Sequence, residues 1–142
     1  MNKDELLQLA INVATKAHKD QVDKAGKPYI LHPITVANSV EDIDAKIVAY
    51  LHDVIEDTSI TADDLRNLGF PEHLVQSILI LTKNKGISYE EYITKIKTDP
   101  IACKVKIADL KHNMDLTRIS NPTQKDYERV KKYKKALQNL EG

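Results

Sequence analysis

The amino-acid sequence predicts an all-α protein. Apolar residues recur at three- and four-residue steps along most of the chain, which is the period of helices that pack by one face. Short segments rich in glycine, proline or asparagine separate these stretches, and no alternating pattern of strand length interrupts them. Since no internal repeat or linker divides the 142 residues, one compact domain spanning residues 1–142 is expected.

Four helices are predicted in the first half of the chain. In order, they run from Leu6 to near His18, from Pro33 onward, over residues 44–58, and over ADDLRNL between Thr61 and Gly69. Pro33 suits a first helical turn, where its missing N–H costs nothing. Thr61 is a typical N-cap residue, and Gly69 is typical of a helix C-terminus. A loop at residues 26–28 separates the first two helices.

The second half contains a further series of helices. Their segments are PEHLVQSILILTK, SYEEYITKIKT, IACKVKIADLKHNMDLTRI after Pro100, and the lysine-rich TQKDYERVKKYKKALQNLEG. Ser88 and Glu91 have the spacing of a capping box, and Asn121-Pro122 is expected to end the third segment. The fold is therefore expected to be a compact bundle of about seven to eight helices.

Composition narrows the class of function. Lys plus Arg and Asp plus Glu both total 21, so the formal net charge is zero and no nucleic-acid or membrane-surface role is indicated. The single cysteine, Cys103, cannot form an internal disulfide, which suits a reducing compartment. No secretory signal or bilayer-spanning stretch is recognisable. A cytoplasmic protein with a small-molecule partner is expected, and the oligomeric state stays open.

Polar residues interrupt the apolar pattern of the predicted third helix. His52 and Glu56 are four residues apart, as are Asp53 and Asp57, so each pair shares a helical face. Burying these groups without a cation would cost several kcal/mol. An exposed helix edge explains the same spacing, so this segment alone leaves both interpretations open.

Two further segments also carry a polar residue on an otherwise apolar helix face. Asp109 lies among apolar residues in VKIADLKHNM, and His18 ends the first apolar stripe. A core histidine with its hydrogen bonds satisfied is the alternative for His18. Together with His52 and Asp53, however, these residues make a mixed nitrogen and oxygen ligand set suited to Mn²⁺, Fe²⁺ or Zn²⁺. Metal-assisted hydrolysis is the chemistry that such a set predicts.

The motifs AHKDQVDKAGKPYILHPITVA, LHDVIEDT and VKIADLKHNM resemble, in this order, those of the HD superfamily of metal-dependent phosphohydrolases. They are most similar to the hydrolase domain of RelA/SpoT-type enzymes and to the small alarmone hydrolases. The resemblance covers most of the chain. It implies an HD-domain helical bundle and removal of the 3′-pyrophosphate from guanosine tetra- or pentaphosphate, a phosphorylated nucleotide linked to the stringent response.

The resemblance also implies a role for individual positions. The implied ligands of the metal, which is usually Mn²⁺ in this family, are His18, His52, Asp53 and Asp109. The implied pair that activates the attacking water is Glu56 and Asp57. The residues implied to bind substrate are Lys24, Tyr29, His32 and Asn113.

One position departs from the family pattern. Five residues after His18, the bifunctional enzymes usually carry an arginine that packs against the guanine base, whereas this chain has Asp23. The change removes a cation–π partner worth about 0.5–2 kcal/mol, so weak base discrimination is expected. Hydrolysis of another phosphorylated nucleotide or dinucleotide is one alternative. A catalytically silent nucleotide-binding module is another, although the presence of Glu56 and Asp57 argues against it.

Overall fold

The computed structural model describes all residues 1–142 and contains no strand, which confirms the predicted all-α class. Its helices are α1 (Lys3–Ala17), α2 (Leu31–Asn38), α3 (Ile43–Leu51), α4 (Val54–Asp57), α5 (Ala62–Leu68), α6 (Glu72–Leu81), α7 (Tyr89–Lys97), α8 (Pro100–Asn113) and α9 (Gln124–Glu141), with a short 3₁₀ helix at Leu116–Arg118 before α9. None of them is both long enough and apolar enough to cross a bilayer.

Helix α3 lies at the centre of the bundle, where it contacts α1, α2, α6 and α8. Its apolar side chains therefore face neighbours on several sides; the buried ones are Ala45, Ile47, Val48, Ala49 and Leu51. Each large aliphatic side chain buried in this way contributes about 1.5–3 kcal/mol. Asp42 begins the helix by accepting the backbone N–H of Ala45 at 3.2 Å. The packing fixes the C-terminal end of α3 against α2 and α8.

The predicted third helix is divided in two by a turn at His52 and Asp53. The imidazole Nδ1 of His52 lies 2.6 Å from the carbonyl oxygen of Ala49. In a continuous helix that carbonyl would accept the backbone N–H of Asp53. The side chain thus bonds this carbonyl at the point where α3 ends, and the short α4 follows. This break accounts for a helix beyond the predicted number.

Several other helix ends follow from local capping interactions. Thr61 makes a capping box with Asp64, and Gly69 ends α5 with a left-handed φ of 108°. Ser88 caps α7 through the N–H of Glu91. The predicted helix after Pro100 is shorter than expected, because Asp115 leaves the helix and its side chain caps the 3₁₀ turn that contains Arg118. The early end of α8 directs that arginine back toward α8.

Candidate metal centre and pocket

Three buried side chains from different parts of the chain converge at the centre of the bundle. They are His32 of α2, His52 at the end of α3 and Asp109 of α8, and one potential ligand atom from each lies within 4.8 Å of the others. All three are at most 4% exposed. Since α2, α3 and α8 pack on one another, the fold itself brings these residues together.

Hydrogen bonds fix which nitrogen each histidine turns toward the cluster. His52 donates its Nδ1–H to the Ala49 carbonyl, which leaves Nε2 at 3.3 Å from Asp109 Oδ1. The Nδ1 of His32 lies 2.6 Å from Nδ1 of His112, and its Nε2 lies 2.7 Å from the same Asp109 oxygen. Partners on the far nitrogen are typical of metal-binding histidines, because they fix the tautomer and the ring orientation.

Asp53 adds a second carboxylate to the cluster. Its Oδ2 lies 3.1 Å from His52 Nε2 and accepts a hydrogen bond from the Tyr29 hydroxyl. Burial and the neighbouring Asp53 carboxylate raise the pKa of Tyr29, so the phenol stays protonated and remains a donor. Tyr29 therefore orients one oxygen of Asp53.

Asp109 is held on both of its oxygens. Oδ1 also accepts from the side-chain amide of Asn113 at 3.1 Å, and Oδ2 lies 2.9 Å from the ammonium of Lys106. Burial alone would raise the pKa of Asp109, but Lys106 and the two histidines hold it well below its usual range. The group is a fixed, ionised carboxylate.

The cluster favours positive charge. Burial lowers the pKa of His52, yet Asp53 and Asp109 outweigh it and raise that pKa well above its usual value. The same two carboxylates would stabilise a metal ion. Two imidazole nitrogens and two carboxylates also form a donor set suited to Mn²⁺, Fe²⁺ or Zn²⁺. The residues present therefore fit a divalent transition metal.

His18 lies outside this three-residue cluster. Its Nδ1 is 2.9 Å from Gln21 Oε1, its ring centroid is 4.8 Å from that of Tyr29, and its buried Nε2 has no hydrogen-bond partner. The ligand set implied by the family resemblance includes His18, and the same resemblance assigns His32 to substrate binding. The structure instead groups His32 with His52 and Asp109, because α2 places His32 directly against α3 and α8.

The acidic pair on α4 lies beside the cluster, and its two members differ. Burial, Asp53 and Glu56 raise the pKa of Asp57, whereas His18 and His52 act against the shift. The pKa of the Asp57 carboxyl therefore depends on the charges of the neighbouring cluster. Glu56 instead accepts the backbone N–H of Lys83 at 2.8 Å through Oε1, which links α4 to the turn after α6.

A cavity of about 190 Å³ adjoins the cluster. Its lining residues are Asp23, Lys24, Ala25, Tyr29, His32, Asn113, Asp115, Arg118, Ile119, Arg129 and Tyr133. The four residues that the family resemblance assigns to substrate binding (Lys24, Tyr29, His32 and Asn113) are all among them. His32 belongs to both the cluster and the cavity wall, so a molecule in the pocket can reach the candidate metal ligands.

Several residues of the site carried no sequence signal strong enough to single them out. His112 supports His32, Lys106 pairs with Asp109, and Arg118 and Arg129 line the pocket. The spacing of Lys106, Asp109 and Asn113 at three and four residues is the one signal that predicts a shared helical face. The arginines come from segments distant in sequence, and only the fold places them here.

Known proteins provide an independent comparison. No protein-family model matches the chain. The chain is 33% identical over 148 residues to a probable GTP pyrophosphokinase of Mycobacterium leprae, in a match that covers 96% of this chain and 18% of the relative. It is 34% identical over 122 residues to the bifunctional (p)ppGpp synthase/hydrolase SpoT of Escherichia coli K12, with 76% and 17% covered. The same values hold for the guanosine-3′,5′-bis(diphosphate) 3′-pyrophosphohydrolase of Escherichia coli O157:H7.

A solved structure shares the fold. It is that of a metazoan orthologue of SpoT that hydrolyses ppGpp and plays a role in starvation responses. The TM-score is 0.81 at 24% identity, and the match covers 96% of this chain and 86% of that one. The likeness shows that the two proteins have the same helical architecture.

The fold and the relatives together define the class of protein: an all-α domain related to enzymes that make and degrade (p)ppGpp. The resemblance inferred from the motifs is confirmed, and the chain is a homologue of the RelA/SpoT-type synthases and hydrolases. It spans less than a fifth of the length of the curated relatives cited above.

Proposed function

We propose that this chain is a metal-dependent phosphohydrolase that removes the 3′-pyrophosphate from guanosine tetra- or pentaphosphate. The observation that carries the proposal is the junction at His32 between a buried donor cluster and a pocket lined by cationic side chains. The named activity of the SpoT-type relatives supplies the substrate class. The single-domain organisation and cytoplasmic location expected from the sequence are parts of the same proposal.

The metal ligands that we propose are His32, His52, Asp53 and Asp109. Mn²⁺ is the preferred ion because of the family resemblance, and Fe²⁺ and Zn²⁺ suit the same donors. When bound, the ion supplies Lewis acidity toward a phosphoryl oxygen and toward the attacking water. Lys106, Asn113, His112 and Tyr29 keep the four ligands in place through the contacts described above.

Asp57 and Glu56 are proposed to activate the attacking water. The raised pKa makes the Asp57 carboxylate a stronger base, which suits a group that accepts a proton from water. As Asp57 accepts the proton, the water oxygen forms a bond to the phosphorus next to the ribose, and the bond between that phosphorus and the 3′-oxygen breaks. The 3′-oxygen keeps the electron pair and takes up a proton. The products are pyrophosphate and guanosine 5′-di- or triphosphate.

The pocket is proposed to hold the rest of the nucleotide. The ammonium of Lys24 belongs to a side chain that is 58% exposed, and it can meet a phosphate at the pocket mouth. Asn113 lines the pocket and donates to Asp109, so it connects bound substrate with a ligand. Burial of the transferred group among fixed charges favours the productive orientation.

The proposal is tested by incubating the purified, Mn²⁺-loaded chain with guanosine tetraphosphate and separating the products by ion exchange. The expected result is guanosine 5′-diphosphate and pyrophosphate in equal amounts, with no product from His52→Ala. The variant controls for contaminating hydrolases. Absence of both products from the folded, metal-loaded protein would overturn the assignment.

A second candidate keeps the chemistry and changes the nucleotide. Asp23 stands where the family's bifunctional enzymes carry the base-packing arginine, which is the observation that favours it. An adenine analogue of guanosine tetraphosphate and a nicotinamide dinucleotide phosphate belong in the same assay. A higher kcat/KM for either one would select this candidate.

A further inference from the structure

Asp23 organises the loop between α1 and α2. Its Oδ1 accepts the backbone N–H groups of Ala25 at 2.9 Å and of Lys27 at 3.0 Å. Burial would raise the pKa of Asp23, but these two hydrogen bonds and Arg118 lower it, so the side chain stays ionised. One oxygen of this carboxylate therefore shapes the loop, while the other is available for a partner across the pocket.

That partner is Arg118, which comes from the 3₁₀ turn after α8. Its Nη2 lies 3.3 Å from Asp23 Oδ2, and its Nη1 donates to the carbonyl oxygen of His112 at 3.0 Å. The guanidinium is thus anchored at both ends, between the loop and the C-terminal end of α8. Its side chain is 26% exposed and lines the cavity beside Lys24 and Tyr29.

The environment of Arg118 suits a neutral aromatic ligand better than a phosphate. Asp23 offsets the charge of the guanidinium, and Asp115 adds a second carboxylate to the lining of the same pocket. These acids repel an anion, whereas a guanidinium that is paired through its edge can still stack its flat face on a ring. Lys24 also has a carboxylate nearby, Asp126 at 3.9 Å, but this ion pair is longer than that of Arg118 and the Lys24 side chain is 58% exposed, so its ammonium is the better phosphate partner.

We propose that Arg118, positioned by Asp23, is the residue against which the nucleobase of the substrate stacks. The inference rests on the proposed function, because a nucleotide whose 3′-pyrophosphate reaches His32 leaves its base in the adjoining pocket. Asp23, which stands where the family's bifunctional enzymes carry the base-packing arginine, therefore does not abolish recognition of the base. It recruits an arginine from a different segment of the chain and makes Arg118 a determinant of specificity.

The test compares guanosine tetraphosphate with an abasic analogue that carries both diphosphates on the ribose and has no base. Arg118→Ala is expected to raise KM for the nucleotide about fivefold, with kcat changed less than twofold and KM for the abasic analogue unchanged. An equal rise in KM for both compounds would identify Arg118 as a phosphate contact and overturn the proposal. An unchanged KM for the nucleotide would overturn it as well.

Two variants refine the result. Asp23→Asn keeps an oxygen for the loop N–H groups but removes the charge that holds Arg118, so a smaller rise in KM, again selective for the nucleotide, is expected. Arg66→Ala is the matched control, because Arg66 on the surface of α5 pairs with Asp63 of the same helix and Glu72 of α6, and lies outside the pocket. Loss of nucleotide selectivity in the Arg66 variant would count against the assignment to Arg118.

Binding separates this inference from the proposed function. If the native protein hydrolyses no guanosine tetraphosphate, the proposed function fails, and calorimetry with guanosine 5′-diphosphate and ribose 5-diphosphate still decides the role of Arg118. Weaker binding of the nucleoside compound alone in Arg118→Ala supports base stacking. Equal binding by the native protein and the variant, or no binding by either, overturns it.

Discussion

His32 and His18 are both buried histidines, but their Nε2 atoms meet different surroundings. The Nε2 of His32 lies 2.7 Å from the fixed carboxylate of Asp109, whereas that of His18 has no hydrogen-bond partner. A metal held by carboxylates and imidazoles requires donors that converge on one point. His32 meets this requirement together with His52, so its loss removes a donor from the centre of the site.

We therefore expect His32→Ala to lose bound Mn²⁺ and His18→Ala to retain it. The ratio of metal to protein after dialysis, measured by elemental analysis, checks the prediction. Circular dichroism shows whether each variant has kept its helices. Full metal content in His32→Ala, or its loss in a folded His18→Ala protein, would contradict the ligand set proposed here.

Asp57 and Glu56 provide a second prediction at the scale of single residues. Asp57→Asn is expected to keep the metal and lower kcat by about 10²- to 10⁴-fold, because the amide cannot accept a proton from water. Glu56→Gln is expected to keep the metal and also lose turnover. Metal content and kcat are measured on the same preparations. Near-native turnover in either variant would remove that residue from the proposed mechanism.

The sequence predicts part of this site and misses the rest for identifiable reasons. His52 and Asp109 stand out because they interrupt apolar helix faces, and both lie in the cluster. His18 interrupts such a face as well, but periodicity reports burial and cannot report the direction of a side chain. Arg118 is 95 residues from Asp23 in sequence, so no local pattern could pair them.

The N-terminal end of α8 helps to position the side chains that this helix contributes to the site. Asp99 begins α8 by accepting the backbone N–H of Ala102 at 2.9 Å, and both of its oxygens lie within 3.1 Å of the buried hydroxyl of Ser77 on α6. One carboxylate thus starts the helix that carries Asp109 and ties it to a neighbouring helix.

Asp99→Ala is expected to lower the free energy of unfolding by about 2–3 kcal/mol. About 1 kcal/mol comes from the lost cap, and about 1–2 kcal/mol comes from the lost hydrogen bond of the Ser77 hydroxyl to a charged carboxylate, since the hydroxyl then keeps only the His73 carbonyl at 3.2 Å as an acceptor. Urea unfolding of Asp99→Ala is compared with that of Thr61→Ala, a surface cap expected to cost only about 1 kcal/mol. An equal decrease in the free energy of unfolding in the two variants would show that the contact with Ser77 does not contribute to stability.

Caps were the most predictable feature of the elements, whereas helix continuity was the least. Thr61 and Gly69 bound α5 as their residue types indicate, because capping is a local interaction. The predicted third helix is divided at the point where the His52 imidazole bonds the Ala49 carbonyl. Hydrophobic periodicity continues across that point and does not reveal which donor a carbonyl will accept.

Across the whole molecule, the candidate metal site connects separate layers of the bundle. Its proposed ligands come from α2, from the turn after α3 and from α8, and α3 also packs on α1 and α6. The all-α class followed from composition and periodicity because both are distributed along the entire chain. Convergence of the ligands depends on packing between helices distant in sequence, and so required the structure.

A ligand bound only by the folded state stabilises that state by mass action. Because the proposed ligands span three segments, unfolding must disperse them, and free Mn²⁺ at 100 times its dissociation constant should add about 2.7 kcal/mol. For a chain of this size, that corresponds to a rise in Tm of roughly 5–10 °C. Scanning calorimetry of the native protein with Mn²⁺ and with excess chelator measures the shift. His32→Ala should show little or none, while His18→Ala should respond like the native chain. The same Tm with and without the metal in the native protein would mean that the cluster does not bind Mn²⁺ in the folded state.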